Sequence, residues 1–205
     1  MDLTRTLIIG NSGSGKSWLA ERLARHLQVP WVDLDSIHWL SDEHSIARPR
    51  GEALAMARIA ASEERWVIEG VYGWMVSELV HRATALIWLC VEDEECIANI
   101  RQRESGRDDK DELLIALLDW AGSYRTRDDS SGYAAQKRLF EGFIGSKLQL
   151  MDRTEVMAFA SCRNSRLICG HCPPCRLIAP PSPTPVFPDT DPDTAASTAP
   201  PSAGR

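Results

Sequence analysis

Along the first 160 residues, short apolar runs alternate with stretches whose apolar residues recur every three or four positions. Arg5-Thr6-Leu7-Ile8-Ile9 reads as a buried strand, and Trp18, Leu19, Leu23 and Leu27 then return at helical spacing. Val29–Asp33 predicts a second strand, followed by a loop over Leu34–Trp39. Pro49 opens a helical stretch over Glu52–Ser62, with Leu54, Ala57 and Ala61 on its apolar side. Arg65–Ile68 is a third strand ending at Glu69-Gly70, and Met75, Val76, Leu79 and Val80 mark a short helix. Ala85–Val91 is apolar on both faces, as central parallel strands are. Asp93 is placed to cap a helix running to about Arg103, with Ile97 and Ile100 inward. After a polar break over Glu104–Asp109, Asp111–Tyr124 carries Leu113, Leu114, Leu117, Leu118 and Ala121 on one helical face. A second polar loop over Tyr124–Ser131 precedes a helix marked by Leu139, Phe140 and Phe143. Lys147–Met151 predicts the last strand, and Asp152 with Glu155 forms a capping-box pair opening a helix over Val156–Ala160. Strand and helix alternate without an internal repeat, which predicts an α/β three-layer domain on a parallel sheet of five strands.

In such sheets ligands bind beyond the carboxyl ends of the strands. That rule points to Lys16, Asp33, Asp35, Glu69 and Glu92. Between the first strand and first helix lies Gly10-Asn11-Ser12-Gly13-Ser14-Gly15-Lys16-Ser17, with the spacing G-x-x-x-x-G-K-[ST]. Glycines let successive N–H groups turn inward around phosphate, and the helix N-terminus adds positive dipole. Lys16 then reaches the β/γ-phosphates and the Ser17 hydroxyl ligates Mg²⁺, so the expected ligand is a nucleoside triphosphate with Mg²⁺.

Asp33-Leu34-Asp35 is the second informative group. In an extended segment residues i and i+2 share a side, so both carboxylates would face the crevice, one to hold Mg²⁺ and the other to accept a proton from, or orient, an attacking hydroxyl. The plainer alternative has Asp33 end the strand and Asp35 cap a turn over 36–39. Phosphoryl transfer needs further positive charge, which Arg101, Arg103 and Arg107, or Arg125 and Arg127, can supply from a closing segment. Cations are also favoured at helix C-termini for their own sake. Glu69, Arg48, Arg50 and His38 lie where an acceptor would sit, but each has an ordinary structural reading too, and Trp39, Trp66 and Trp88 read as core.

Composition divides the 205 residues in two. Ten of 12 prolines lie from Pro173 onward, whereas all seven tryptophans lie at or before Trp120. Residues 1–161 form the expected domain, and 162–205 read as a disordered Cys- and Pro-rich tail. The net charge is −6; the tail holds four arginines against three aspartates, so the first 161 residues carry −7. That average repels polyanions and argues against direct nucleic-acid binding. No charged leader opens the chain and no apolar run approaches the ~20 residues of a membrane span, so the expected setting is cytoplasmic. Cys90 and Cys96 read as buried thiols. Cys162, Cys169, Cys172 and Cys175 are spaced too tightly for the usual paired zinc knuckle, which leaves either an unselected tail or a zinc-dependent interaction module.

With GNSGSGKS, DLDSIHW and WVIEGVYG placed, the chain resembles the adenylate kinase-like P-loop proteins of the DNA topology modulation type. More broadly it is similar to the nucleoside monophosphate kinase and shikimate/gluconate kinase group, over about residues 4–160. The resemblance implies a 2-3-1-4-5 parallel sheet, ATP-Mg²⁺ binding and an arginine-bearing lid, in which Arg103 and Arg107 are the candidates. Gly10, Gly13, Gly15, Lys16 and Ser17 match the phosphate loop position by position. Asp33 and Asp35 match the D-x-D of shikimate kinases, where the first assists the metal and the second contacts the acceptor. Asp35 with Trp39, and Gly70 with Tyr72, match the topology-modulation pattern. After the third strand this chain has Gly70-Val-Tyr-Gly73, neither the Gly-[Phe/Tyr]-Pro-Arg of adenylate kinases nor the glycine triplet of shikimate kinases. The expected activity is therefore γ-phosphate transfer from ATP to a small acceptor, nucleotide or hydroxylated metabolite. The alternative is a nucleotide-binding regulatory ATPase with a protein partner. Oligomeric state is not legible.

Overall fold

A computed structural model describes residues 1–40, 46–106, 108 and 111–162. Five strands, β1 (Arg5–Gly10), β2 (Trp31–Asp33), β3 (Trp66–Glu69), β4 (Ala85–Leu89) and β5 (Ser146–Leu150), form one parallel sheet in the order β2-β3-β1-β4-β5. The helices are α1 (Lys16–Leu27), α2 (Leu34–His38), α3 (Arg50–Ala60), α4 (Gly73–Leu79), α5 (Asp93–Arg103), α6 (Glu112–Gly122), α7 (Tyr133–Gly142) and α8 (Arg153–Cys162). The expected α/β architecture and strand order are what the chain adopts. No described helix is long and apolar enough to cross a membrane.

The period-two alternation of the strands divides the core between two faces. Leu7, Ile9, Trp66, Ile68, Leu86 and Trp88 pack under α3, α4 and α7 against Ala53, Ala57, Met75, Leu79 and Phe140. Ile8, Val67, Ile87 and Leu89 face the other way, onto Leu19, Ala20 and Leu23 of α1 and Val156 and Phe159 of α8. Most of these side chains are fully buried, each contributing roughly 2 kcal/mol of transfer free energy. Both faces of the middle strands are thereby committed to packing, which leaves their carboxyl ends for chemistry.

Three expectations need correction. The stretch after β2 is not a loop but helix α2, because Asp33 caps it by accepting from the Asp35 N–H at 2.8 Å. Asp93 does not cap α5; it is the first helical residue, and its carboxylate turns inward. Leu113 is exposed instead of sharing the buried face of Leu114 and Ala121, since α6 packs mainly on α5 through Ile97 and Ile100. The capping reading at α8 matches the contacts: the Glu155 N–H donates to Asp152 and the Glu155 carboxylate accepts from the Met151 N–H. Arg107 and the cysteines at 169, 172 and 175 lie outside the described residues.

Candidate active site

The loop between β1 and α1 has left-handed backbone at Gly13 and Gly15, with φ of 78° and 94°, and Gly10 at 149°. A Cβ on Gly13 would run into the carbonyl oxygen of Cys96 on α5, so glycine is dictated there by space as well as by φ. The loop thus folds against α5, and Asn99 fastens it by donating from Nδ2 to the Gly13 carbonyl at 3.0 Å. Asn11, Ser14 and Lys16 are buried, Ser12, Gly13 and Gly15 are half-buried, and Ser17 is exposed at the start of α1. The first turn of α1 leaves backbone donors without intrahelical partners at the mouth of this cup. Lys16 Nζ folds back to donate to the Asn11 carbonyl at 3.0 Å.

Parallel register brings the carboxylates to the lysine. Asp33 at the end of β2 pairs with Glu69 at the end of β3, and Glu69 pairs with Ile8 of β1, two residues before the loop. Neighbouring strands lie about 4.8 Å apart, so Asp33, Glu69 and the loop occupy one edge of the sheet. Glu69 is buried, and its Oε1 has no hydrogen-bond partner. Burial pushes its carboxyl up to about 7, with Lys16 opposing, Asp33 adding to the rise, the Ser17 hydroxyl opposing and Asp35 adding again. Lys16, Ser17, Asp33 and Asp35 therefore all lie near enough to Glu69 to act on its charge.

Asp35 reaches this group from the first turn of α2 and not from an extended segment. Its Oδ1 accepts from the Tyr72 hydroxyl at 2.5 Å, and Tyr72 in turn accepts from the Trp39 indole N–H at 2.8 Å. Burial, with Asp35 beside it, raises the Tyr72 phenol far above its usual range and keeps it a donor. The His38 ring packs 4.4 Å from Tyr72 and 4.6 Å from Trp39, and burial lowers its pKa. Trp66 and Trp88 are core as expected, whereas Trp39 is half-buried at the site edge. Arg48 donates to the Ile37 carbonyl and pairs with Glu52, and Arg50 lies over the Trp74 ring at 4.6 Å.

Among the described residues, the candidate arginine that approaches the loop is Arg125, not Arg103. Arg103 is exposed and pairs with its neighbour Glu104 at 2.9 Å. Arg125 instead pairs with Glu92 at 2.9 Å and lies 3.8 Å from Asp93 Oδ1, whose carboxylate also accepts from Asn11 of the loop at 3.3 Å. Arg127 turns away, stacking on Trp120 and donating to its carbonyl. The residues that sequence reasoning missed are Asn99 and the inward role of Asp93. Nothing in the pattern marks them except their positions six apart on a helix that a glycine loop must touch.

Among the described residues, no three His, Cys, Asp or Glu side chains gather as a metal cage. The donors present suit a smaller role: Mg²⁺ keeps most of its waters and needs one or two protein oxygens beside phosphate. Ser17 and Asp33 fit that description, and the unpartnered Glu69 Oε1 adds a buried acceptor beside them.

No protein-family profile matches the chain, and no curated protein matches it in sequence. Similar solved structures include a gluconokinase from Sinorhizobium meliloti, 16% identical over 80% of this chain and 91% of that one, with a TM-score of 0.49. A shikimate kinase from Bacteroides thetaiotaomicron is 23% identical over 67% of this chain and 96% of its own, with a TM-score of 0.41. An uncharacterized protein from Eubacterium ventriosum is 17% identical over 79% and 99%, with a TM-score of 0.45. Likeness at this level says nothing of chemistry, which must be argued from the residues of this chain.

Proposed function

We propose that this chain is an ATP-dependent phosphotransferase of the adenylate kinase-like, topology-modulation kind, acting on a small acceptor. The observation that carries the reading is the buried Lys16 beside a glycine cup, faced across the strand ends by Asp33, Asp35 and Glu69. The loop amides of residues 10–17 hold the triphosphate of ATP and Lys16 neutralises its β/γ end. Ser17 and Asp33 hold Mg²⁺, which when bound supplies charge neutralisation at the phosphates. Glu69 joins them as a metal-water acceptor. Asp35, oriented by Tyr72, orients the acceptor hydroxyl or phosphate and, where the acceptor is a hydroxyl, takes up its proton. Of the lid arginines, Arg125 supports the role better than Arg103, because it already stands at the loop through Asp93; Arg107 keeps its candidacy as a lid residue. The proposal assigns activity to residues 1–161 and none to 162–205.

A phosphoryl-acceptor screen with ATP tests this reading. Nucleosides, nucleotides, polyols and sugar acids are offered, and product is compared with bare hydrolysis. Transfer to at least one small acceptor above hydrolysis is expected. Hydrolysis alone would favour the regulatory ATPase, a reading that the missing Gly-x-Pro-Arg element after β3 also suits.

A further inference from the structure

We propose that Asn11 and Asp93 form a positioning relay that ties occupancy of the phosphate loop to the placement of Arg125; the inference rests on reading that loop as a triphosphate site. Asn11 is only 2% exposed and is held from several directions. Its carbonyl accepts from Lys16 Nζ at 3.0 Å and from the Ser14 N–H at 3.3 Å. Its side-chain Nδ2 donates to Asp93 Oδ1 at 3.3 Å and to the Ala121 carbonyl near the end of α6 at 2.8 Å. Asp93, 7% exposed, uses its other oxygen, Oδ2, to accept from the Arg125 N–H at 3.3 Å. One buried carboxylate therefore joins the loop to a backbone segment 32 residues beyond Asp93 itself.

Lys16 is the moving part. Any anion that draws its ammonium forward takes a charged donor from the Asn11 carbonyl, and the Asn11 peptide must adjust. The side chain of the same residue is bonded to Asp93, so the adjustment is felt at the Arg125 backbone. The guanidinium of Arg125 lies 3.8 Å from Asp93 Oδ1 and makes its closer ion pair at the surface, with Glu92. Its partner Glu92 is 63% exposed, and surface pairs of that kind contribute at most about 1 kcal/mol. Its face lies 4.9 Å over the Tyr133 ring, a contact that tolerates sliding. The segment is thus fixed while the side chain is free to exchange Glu92 for a phosphate. By linkage, whatever the loop does to Arg125, Arg125 does in return to the affinity of the loop.

Hydrogen exchange on the full chain tests the relay without requiring turnover. Asn11→Ala and, separately, Asp93→Asn are expected to speed exchange of the 123–127 amides at least tenfold, with the amides of β4 and β5 unchanged. Unchanged exchange at 123–127 in Asn11→Ala overturns the relay, and that variant decides alone should Asp93→Asn not fold. Mg·ATP is expected to slow exchange at 123–127 in the native sequence but not in Asp93→Asn. Arg125→Gln should weaken Mg·ATP binding by about two- to thirtyfold, the range of measured coupling along such networks. Binding of Mg·ATP without propagation to 123–127 sinks the relay alone. Absence of Mg·ATP binding by the native sequence sinks the triphosphate reading and the relay's purpose together.

Discussion

Replacing Glu69 with glutamine isolates the cost of ionising a buried carboxylate at the strand ends. Unfolded, the group titrates near 4.5, whereas in the folded protein burial holds its proton to about 7. Between those values the native state binds the extra proton, so stability falls as pH rises through the window. The contribution is fully present below 4.5 and fully lost above about 7. At about 1.4 kcal/mol per unit of pH, the loss is on the order of 3 kcal/mol. For a domain of this size that corresponds to roughly 6–12 °C in Tm. Glutamine has nearly the same shape and cannot ionise. Thermal unfolding of nucleotide-free protein, followed by circular dichroism from pH 5 to 8, should show the two proteins close together at pH 5. By pH 8 Glu69→Gln should be the more stable by about that interval. Parallel Tm profiles for the two proteins across this range would refute the cost assigned to ionising the buried Glu69 carboxylate.

Gly13→Ala puts a methyl group against the Cys96 carbonyl at a left-handed φ, and should lower Tm by at least about 5 °C while weakening Mg·ATP binding, measured by thermal unfolding and calorimetry. Asp35→Asn should leave Mg·ATP affinity within about twofold and cut transfer to the acceptor at least about a hundredfold, the low end for a lost proton acceptor; equal transfer rates would remove Asp35 from the chemistry. Tyr72→Phe loses the hydroxyl shared by Asp35 and Trp39, at a stability cost of about 1–2 kcal/mol in urea unfolding, and should shift the acceptor KM more than the ATP KM.

The sheet was legible because its middle strands are apolar on both sides. Ala85–Leu89 and Trp66–Glu69 stand out against any helical periodicity, and each following helix carries its own stripe. The phosphate loop was legible because its glycines are forced by geometry that few residues satisfy. Local competition was not legible. Asp33 and Asp35 obey period two on paper, but an aspartate at a strand end caps a helix as readily as it continues a strand, and the capping bond prevailed. Asp93 illustrates the converse: its position promised a cap, and long-range bonds to Asn11 and Arg125 drew it inward. Arg103 and Arg125 look alike in sequence, and only the packing of α6 on α5 decides which one reaches the loop.

Isothermal titration of Mg·ATP into the purified protein, with Lys16→Ala alongside, tests the central claim most directly. A single binding event in the native sequence that disappears in Lys16→Ala is the predicted result. No heat of binding in the native sequence, or equal binding by both proteins, would contradict it.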